Sequence, residues 1–172
     1  MRLFRLKYCL FFGLIFTFLN SCVKKSNNNK TIKNNTFSVT LTSVFEKNDT
    51  LVFNYEKNGV WQDKKQEKLA VDSYSGFQEV RFDFPENVRI DNIKITMSTN
   101  KKQEYIVFKN IKIQKGEKII VNDSENYTSY FLLNDCFIWD SKNSCLLLNH
   151  LKKYPPIFQG NEVLIQKLKR SL

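Results

Sequence analysis

From Phe37 onward the chain alternates, and that alternation restricts its fold more than any other feature. Phe37, Val39 and Leu41 interleave with Ser38, Thr40 and Thr42. Leu51, Phe53 and Tyr55 interleave with Val52, Asn54 and Glu56; Val80, Phe82 and Phe84 interleave with Arg81 and Asp83 before Pro85 stops the run. Successive side chains of a strand point to opposite faces, so a period of two marks strands with one face buried. Residues 88–90 and 93–97 read as one strand kinked at Asp91-Asn92. Residues 105–108 continue to Ile113 through a bulge at Lys109-Asn110, and 119–121 follow a turn at Lys115-Gly116. Short strands at this spacing, parted by Asn, Gly and Lys turns, predict a mainly β protein built as an antiparallel β-sandwich.

Helix is expected in two places. Residues 124–132 read as a short helix capped by Ser124. After the extended passage at Pro155-Pro156, Asn161 is placed as an N-cap with Glu162 in the positive first turn. Leu164, Ile165, Leu168 and Leu172 share one face, and Lys167, Lys169 and Arg170 fall near the negative end. This predicts a C-terminal helix of about three turns, either packed on the sandwich or lying on a membrane. No internal repeat or second boundary is visible, so residues 37–172 read as one domain.

The chain carries 27 basic and 17 acidic residues, a net charge of +10. Its lysines, among them Lys64, Lys94, Lys112 and Lys118, are scattered over strands and turns rather than gathered into a patch, so no nucleic-acid partner is expected. His150 is the sole histidine, and no Ser-His-Asp set, HExxH or CxxC accompanies it. The five glycines form no phosphate loop. Asp83 and Asp91 are the nearest candidates for a hydrolytic carboxylate pair but read as solvated strand charges. The expectation is a protein that is not an enzyme, with no metal and no cofactor.

Binding has better candidates. Trp61 lies in the polar stretch 58–63, and Tyr74 stands beside Ser75-Gly76. An exposed aromatic face stacks on a sugar ring while neighbouring polar groups take its hydroxyls, a part that Asp63 and Asp72 are placed to fill. The alternative is that Trp61 plugs the end of the sandwich. Trp139, on an alternating hairpin, reads as core. The hairpin of residues 136–145 has a cysteine at each end. A two-residue turn at Asp140-Ser141 would set Cys136 opposite Cys145 in a closely spaced pair, as a disulfide requires. A longer turn breaks that match and leaves two buried thiols.

Ahead of the strands, Arg2, Arg5 and Lys7 precede a short apolar run over residues 8–19, and Leu19-Asn20-Ser21-Cys22 follows. The run is too short to span a bilayer and has the length of a signal-peptide core. Leu19-Asn20-Ser21-Cys22 resembles a bacterial lipobox. The resemblance implies cleavage after Ser21, diacylglycerol on Cys22 and attachment to a membrane through that lipid. Residues 1–21 are then a lipoprotein signal peptide. Residues 22–36, rich in Asn and Lys, are a polar tether that cannot bury enough surface to fold. Lys24 and Lys25 would sit beside the headgroups.

Further stretches extend the resemblance: residues 76–85 (GFQEVRFDFP), 107–113 (VFKNIKI) and 154–158 (YPPIF). With the lipobox they are similar to small Bacteroidota lipoproteins with a signal peptide and a β-sandwich domain. Asp49-Thr50-Leu51 also resembles a short O-glycosylation signal of exported proteins in that phylum. The family likeness implies a jelly-roll-like sandwich and export, and carries over no catalytic residue. The function expected is a non-catalytic lipoprotein of the cell envelope that binds a glycan or another envelope component, or serves as a structural or assembly partner of an envelope complex. Its expected place is the periplasmic face of the outer membrane.

Overall fold

The computed structural model describes residues 35–122 and 126–171. The signal peptide, Cys22, nearly all of the tether, Ser124 and Leu172 lie outside the described residues. The alternating runs form strands where expected: β1 (Phe37–Phe45), β2 (Asp49–Lys57), β5 (Gln78–Asp83), β6 (Asn92–Thr96), β7 (Tyr105–Lys115) and β8 (Lys118–Val121). Between and after them come β3 (Val60–Trp61), β4 (Glu67–Val71), β9 (Phe131–Leu133), β10 (Phe137–Asp140), β11 (Cys145–Leu148) and β12 (Ile157–Gly160). One helix, α1 (Glu162–Lys169), follows β12.

The strands make two antiparallel six-stranded sheets, packed together as the expected sandwich. The first runs β10-β11-β7-β1-β5, with β8 on the far part of β7. The second runs β3-β2-β6-β12-β9, with β4 also on β2. Inward residues of β1, β5 and β7 (Val39, Leu41, Phe82, Ile111, Ile113) belong to one core with those of β2 and β6 (Leu51, Phe53, Ile93, Ile95). Across that core Phe53 stacks on Phe82 with ring centroids 4.4 Å apart. The bulge at Lys109 is present: the register of β1 against β7 slips between Thr42 and Ser43, which lets both Ile111 and Phe108 face inward. Gly116 (φ +56°) takes the left-handed turn into β8.

Asn161 caps α1 as read, its side chain accepting from the Leu164 amide at 3.2 Å. Leu164 and Leu168 are fully buried, and the helix packs against β12, β6 and β8. It is eight residues long, a turn shorter than expected. The approach is close at Gly160, where a Cβ would overlap the Asn92 side chain and come within 2.7 Å of Leu164 Cδ2. Among the described residues no helix is long and apolar enough to cross a membrane.

Two local expectations fail. Residues 88–90 are not strand: Asn87 turns the chain with φ +57°, and Asp91 donates its amide to the Glu56 carbonyl at the end of β2, so pairing begins only at Asn92. The helix expected over 124–132 is, within the described part, a single 3-10 turn at Tyr127–Ser129, capped by Asn126. Its Tyr127 is needed as an aromatic contact of the core, and the chain enters β9 directly after it.

Candidate functional site

The residues picked for binding fall into two places. Trp61 pairs with Glu56 at the far end of β2, and is half-buried rather than a plug in the core. The Lys94 ammonium lies 4.6 Å from its ring centroid and 3.6 Å from Asp63 Oδ1, which also accepts from Asn54 Nδ2 at 2.6 Å. The corner therefore satisfies itself: one cation covers the ring, and the carboxylate already has two partners. Tyr74 follows β4, whose Val71 pairs with Asp49 at the other end of β2. It is 58% exposed, and its ring lies against Gly76. Asp72 accepts at its backbone carbonyl from Gln78 Nε2 at 2.8 Å. Positions 49 and 56 of one strand stand about 23 Å apart at the usual rise. The structure brings Trp61 to Asp63 and Tyr74 to Asp72, but not the two pairs to each other.

The cysteine hairpin forms with the longer turn, the alternative that leaves Cys136 and Cys145 as two buried thiols. Ser141 to Ser144 make a four-residue connection, with Ser144 left-handed at φ +51°. Asp140 builds the turn: Oδ1 accepts from the Lys142 and Asn143 amides, and Oδ2 from Asn143 Nδ2 at 2.7 Å. The Asn143 side chain, then the two amides, hold the Asp140 carboxyl below its ordinary range. Asp140 thus faces Cys145, while Cys136 lies beyond the paired region with its thiol on the Asn149 carbonyl at 3.4 Å. Both thiols are buried and unbonded, and burial pushes both upward, so they stay protonated.

The same turn fixes where Trp139 goes. It sets Trp139 opposite Leu146 and Phe137 opposite Leu148, all on the inward side of the sheet. Leu146 is buried, as the reading of this face as core requires, yet Trp139 is 56% exposed. The expectation that Trp139 is core is overturned because β10 is the edge strand, and the facing sheet ends in the three-residue β9. Past that edge the inward face looks onto an open groove of about 550 Å³.

Tyr127, Phe137 and Trp139 supply the groove's aromatic surface; Asn126, Thr128 and Asp135 supply polar groups. Two of the rings are held from behind. Tyr127 stacks nearly parallel on Phe158 (5.5 Å, 4°) and meets Phe108 edge-on at 4.8 Å, while Phe137 sits 5.1 Å from Phe158. Asn134 fixes the rim: its Nδ2 donates to the Lys153 and Pro155 carbonyls at 2.9 and 2.8 Å, and its Oδ1 accepts from Ile157 N at 3.1 Å. Burial raises the Tyr127 phenol above its usual value, keeping it a neutral hydroxyl. Among the described residues, the lining includes no Lys or Arg. Such a surface offers ring faces for stacking, amide and hydroxyl groups, and one exposed carboxylate.

The residues weighed for catalysis are engaged elsewhere. Arg89 pairs with Asp91 at 2.8 Å, and Asp83 takes Arg81 at 2.8 Å. His150 Nε2 lies 2.8 Å from the Gln103 carbonyl, which puts the proton on that nitrogen, and its ring is 5.3 Å from Tyr154. Among the described residues no group of three or more His, Cys, Asp or Glu side chains is placed to hold a metal. No family model, curated protein or solved structure matches the chain.

Proposed function

We propose that this chain is a non-catalytic, lipid-anchored protein of the bacterial cell envelope whose domain holds a saccharide in the groove beside β10. The single observation that carries the saccharide is the partly exposed aromatic surface of Trp139, Tyr127 and Phe137, bordered by Asn126, Thr128 and Asp135. Pyranose rings present an apolar face to an aromatic ring and hydroxyls at their rim. The absence of Lys and Arg among the described residues of the lining, with the Asp135 carboxylate at its border, favours a neutral glycan over a phosphorylated or acidic one. Trp61 with Asp63, and Tyr74 with Asp72, fit this role less well: the first pair is occupied by Lys94 and Asn54, and the second lies at the opposite end of β2.

The test is a titration of the protein with neutral oligosaccharides, cello- and chito-oligomers as first probes, read by tryptophan fluorescence and calorimetry. Trp139→Ala is expected to weaken binding about tenfold or more, as loss of a central aromatic contact does. Trp61→Ala leaves it unchanged. The reverse pattern would move the site to the Trp61 corner, and no saturable binding by any saccharide would end the glycan reading.

The anchor is Cys22 in the lipobox, and the proposed place is the periplasmic face of the outer membrane. Metabolic labelling with palmitate should be lost in Cys22→Ser; label that persists in that variant refutes the anchor. One observation supports the assembly reading: β10 ends its sheet and has an outer backbone row on which an envelope partner's strand can add. Crosslinking to one envelope protein that survives Trp139→Ala and is abolished by Trp139→Pro, which removes an outward-facing amide of the edge, would favour that reading.

A further inference from the structure

The outward face of the β10-β11-β7-β1-β5 sheet divides into two halves of opposite character. In one half Thr40 and Thr42 of β1, Arg81 of β5 and Lys112 of β7 border a polar depression. In the other, apolar side chains cross every strand. Ile138 pairs with Leu147, and Leu147 with Tyr105. Val107, two residues along β7 on the same side, pairs with Val44. Ser43 pairs with Gln78, the first residue of β5, which sets Phe77, just ahead of that strand, beside Val44. Phe77 is 51% exposed and Ile138 48%, so the two ends of this band stand in water. A contiguous apolar band on a polar sheet face calls for a covering surface.

Charge identifies the cover. The Lys109 ammonium lies over the Phe77 ring, 5.3 Å from its centroid. Lys142 sits in the β10–β11 turn, and Lys101 and Lys102 in the turn that leads into β7. Of the acids nearby, Glu46 is paired with Lys47 at 2.8 Å, while the carboxylates of Glu79, Glu104 and Asp140 are outnumbered by Lys101, Lys102, Lys109 and Lys142. Aliphatic and aromatic side chains bordered by lysines are the chemistry of an anionic bilayer surface: the apolar groups enter the headgroup–acyl boundary and the ammonium groups stay with the lipid phosphates. We infer that this band lies against a membrane of anionic phospholipid, with β10, β11 and the start of β7 lowest. Reach permits it. The band is at the Val44 end of β1, about 23 Å from Phe37 at the usual rise. Residues 22–36 span up to about 50 Å when extended. The contact is independent of what fills the groove, since it uses Ile138 and Leu147 on the outward side and none of the groove's side chains.

A single tryptophan reports on this contact in the full chain. With Trp61→Phe and Trp139→Phe as background, a tryptophan is placed by Leu147→Trp or Ile138→Trp, and by Thr42→Trp on the polar half as control. Each protein is added to vesicles of phosphatidylglycerol and brominated phosphatidylcholine, with folding checked by circular dichroism. Emission from positions 138 and 147 is expected to fall about twofold or more, because a face seated about 5–10 Å deep reaches the brominated acyl chains, while position 42 stays unquenched. High salt, or Lys109→Glu with Lys142→Glu, should reduce the quenching at 138 and 147. Equal emission at 147 and 42 overturns the inference. So does a blue shift at 147 without bromine quenching together with a doubled mass, which would mean that a second copy covers the band.

Discussion

Trp61 and Trp139 each stand at a margin of the sandwich, and they differ in what lies across from them. Trp61 has a partner on every side that matters: Glu56 in register, Lys94 over its ring, and Asp63 tying that lysine to Asn54. Trp139 points inward from its sheet but past the end of the sheet opposite, so only part of its ring is covered. A polar neighbourhood saturates one indole, and an apolar neighbourhood leaves the other open. Apolar surroundings at an edge do not ensure burial; the extent of the facing layer decides it. The groove that Trp139 borders also has a rigid aromatic floor, Tyr127 and Phe137 held on Phe158, and a binding surface held in its bound geometry before the ligand arrives loses less conformational freedom on binding.

The sharpest way to break this contrast is to remove the floor. Phe158 is fully buried and touches Phe108, Tyr127, Phe131 and Phe137. Phe158→Ala should lower stability by about 3–5 kcal/mol in urea denaturation, the usual cost of an aromatic cavity. Trp139→Ala should cost less than about 1 kcal/mol, since much of that ring is already in water. Equal losses in the two variants would show that Trp139 is core after all.

A smaller effect sharpens the other side. The turn that carries Trp61, Asn58-Gly59, is pinned by Asp91, whose Oδ2 accepts from the Asn58 amide and whose Oδ1 takes Arg89 at 2.8 Å. Burial acts to raise the Asp91 carboxyl, but Arg89 and the Asn58 amide outweigh it and hold the carboxyl below its ordinary value. A carboxyl with a lowered folded value contributes stability that is complete above the unfolded value, near 3.9. That contribution is lost as the pH falls through the folded value. Asp91→Asn is expected to cost about 1 kcal/mol at neutral pH, the net worth of such hydrogen bonds. The two proteins should converge in stability as the pH drops below about 3.9. Parallel stability–pH curves for wild type and variant would show that Asp91 does not couple the turn to protonation.

The longer strands of the two sheets were legible because each carries its own period of two, and the helix because Asn161, Glu162 and the buried Leu164 and Leu168 form a local signal. β3, β9 and β12 have four residues or fewer, and β4 (Glu67-Lys-Leu-Ala-Val71) is exposed along most of its length; in none does alternation stand out, and each forms because a longer neighbour offers it backbone partners. The groove was illegible for a related reason. Alternation assigns Trp139 to a side of its sheet, correctly, but holds no information on how far the other sheet extends. The cysteine register turned on turn length, four residues in place of two, which the Asp140 side chain settles through its bonds to Lys142 and Asn143. Asp63, Asp72 and Tyr74 are exposed and Trp61 half-buried, but their sequence proximity concealed a separation of most of a strand.

The smallest effect expected is at the Trp61–Lys94 contact itself. With the ammonium 4.6 Å from the ring centroid and the lysine about a quarter exposed, a cation–π pair of this kind contributes about 0.5–1 kcal/mol. A double-mutant cycle of Lys94→Met and Trp61→Leu should return a coupling in that range, and it should persist at high salt because the partner is a quadrupole rather than an exposed charge. Lys94→Met also frees one face of the indole while Asn54 still holds Asp63. If Trp61 is kept from ligands only by its lysine, the single variant gains a saccharide response that the parent corner lacks. An unchanged response would mean that the missing rigid floor, rather than the cation, distinguishes this tryptophan from Trp139.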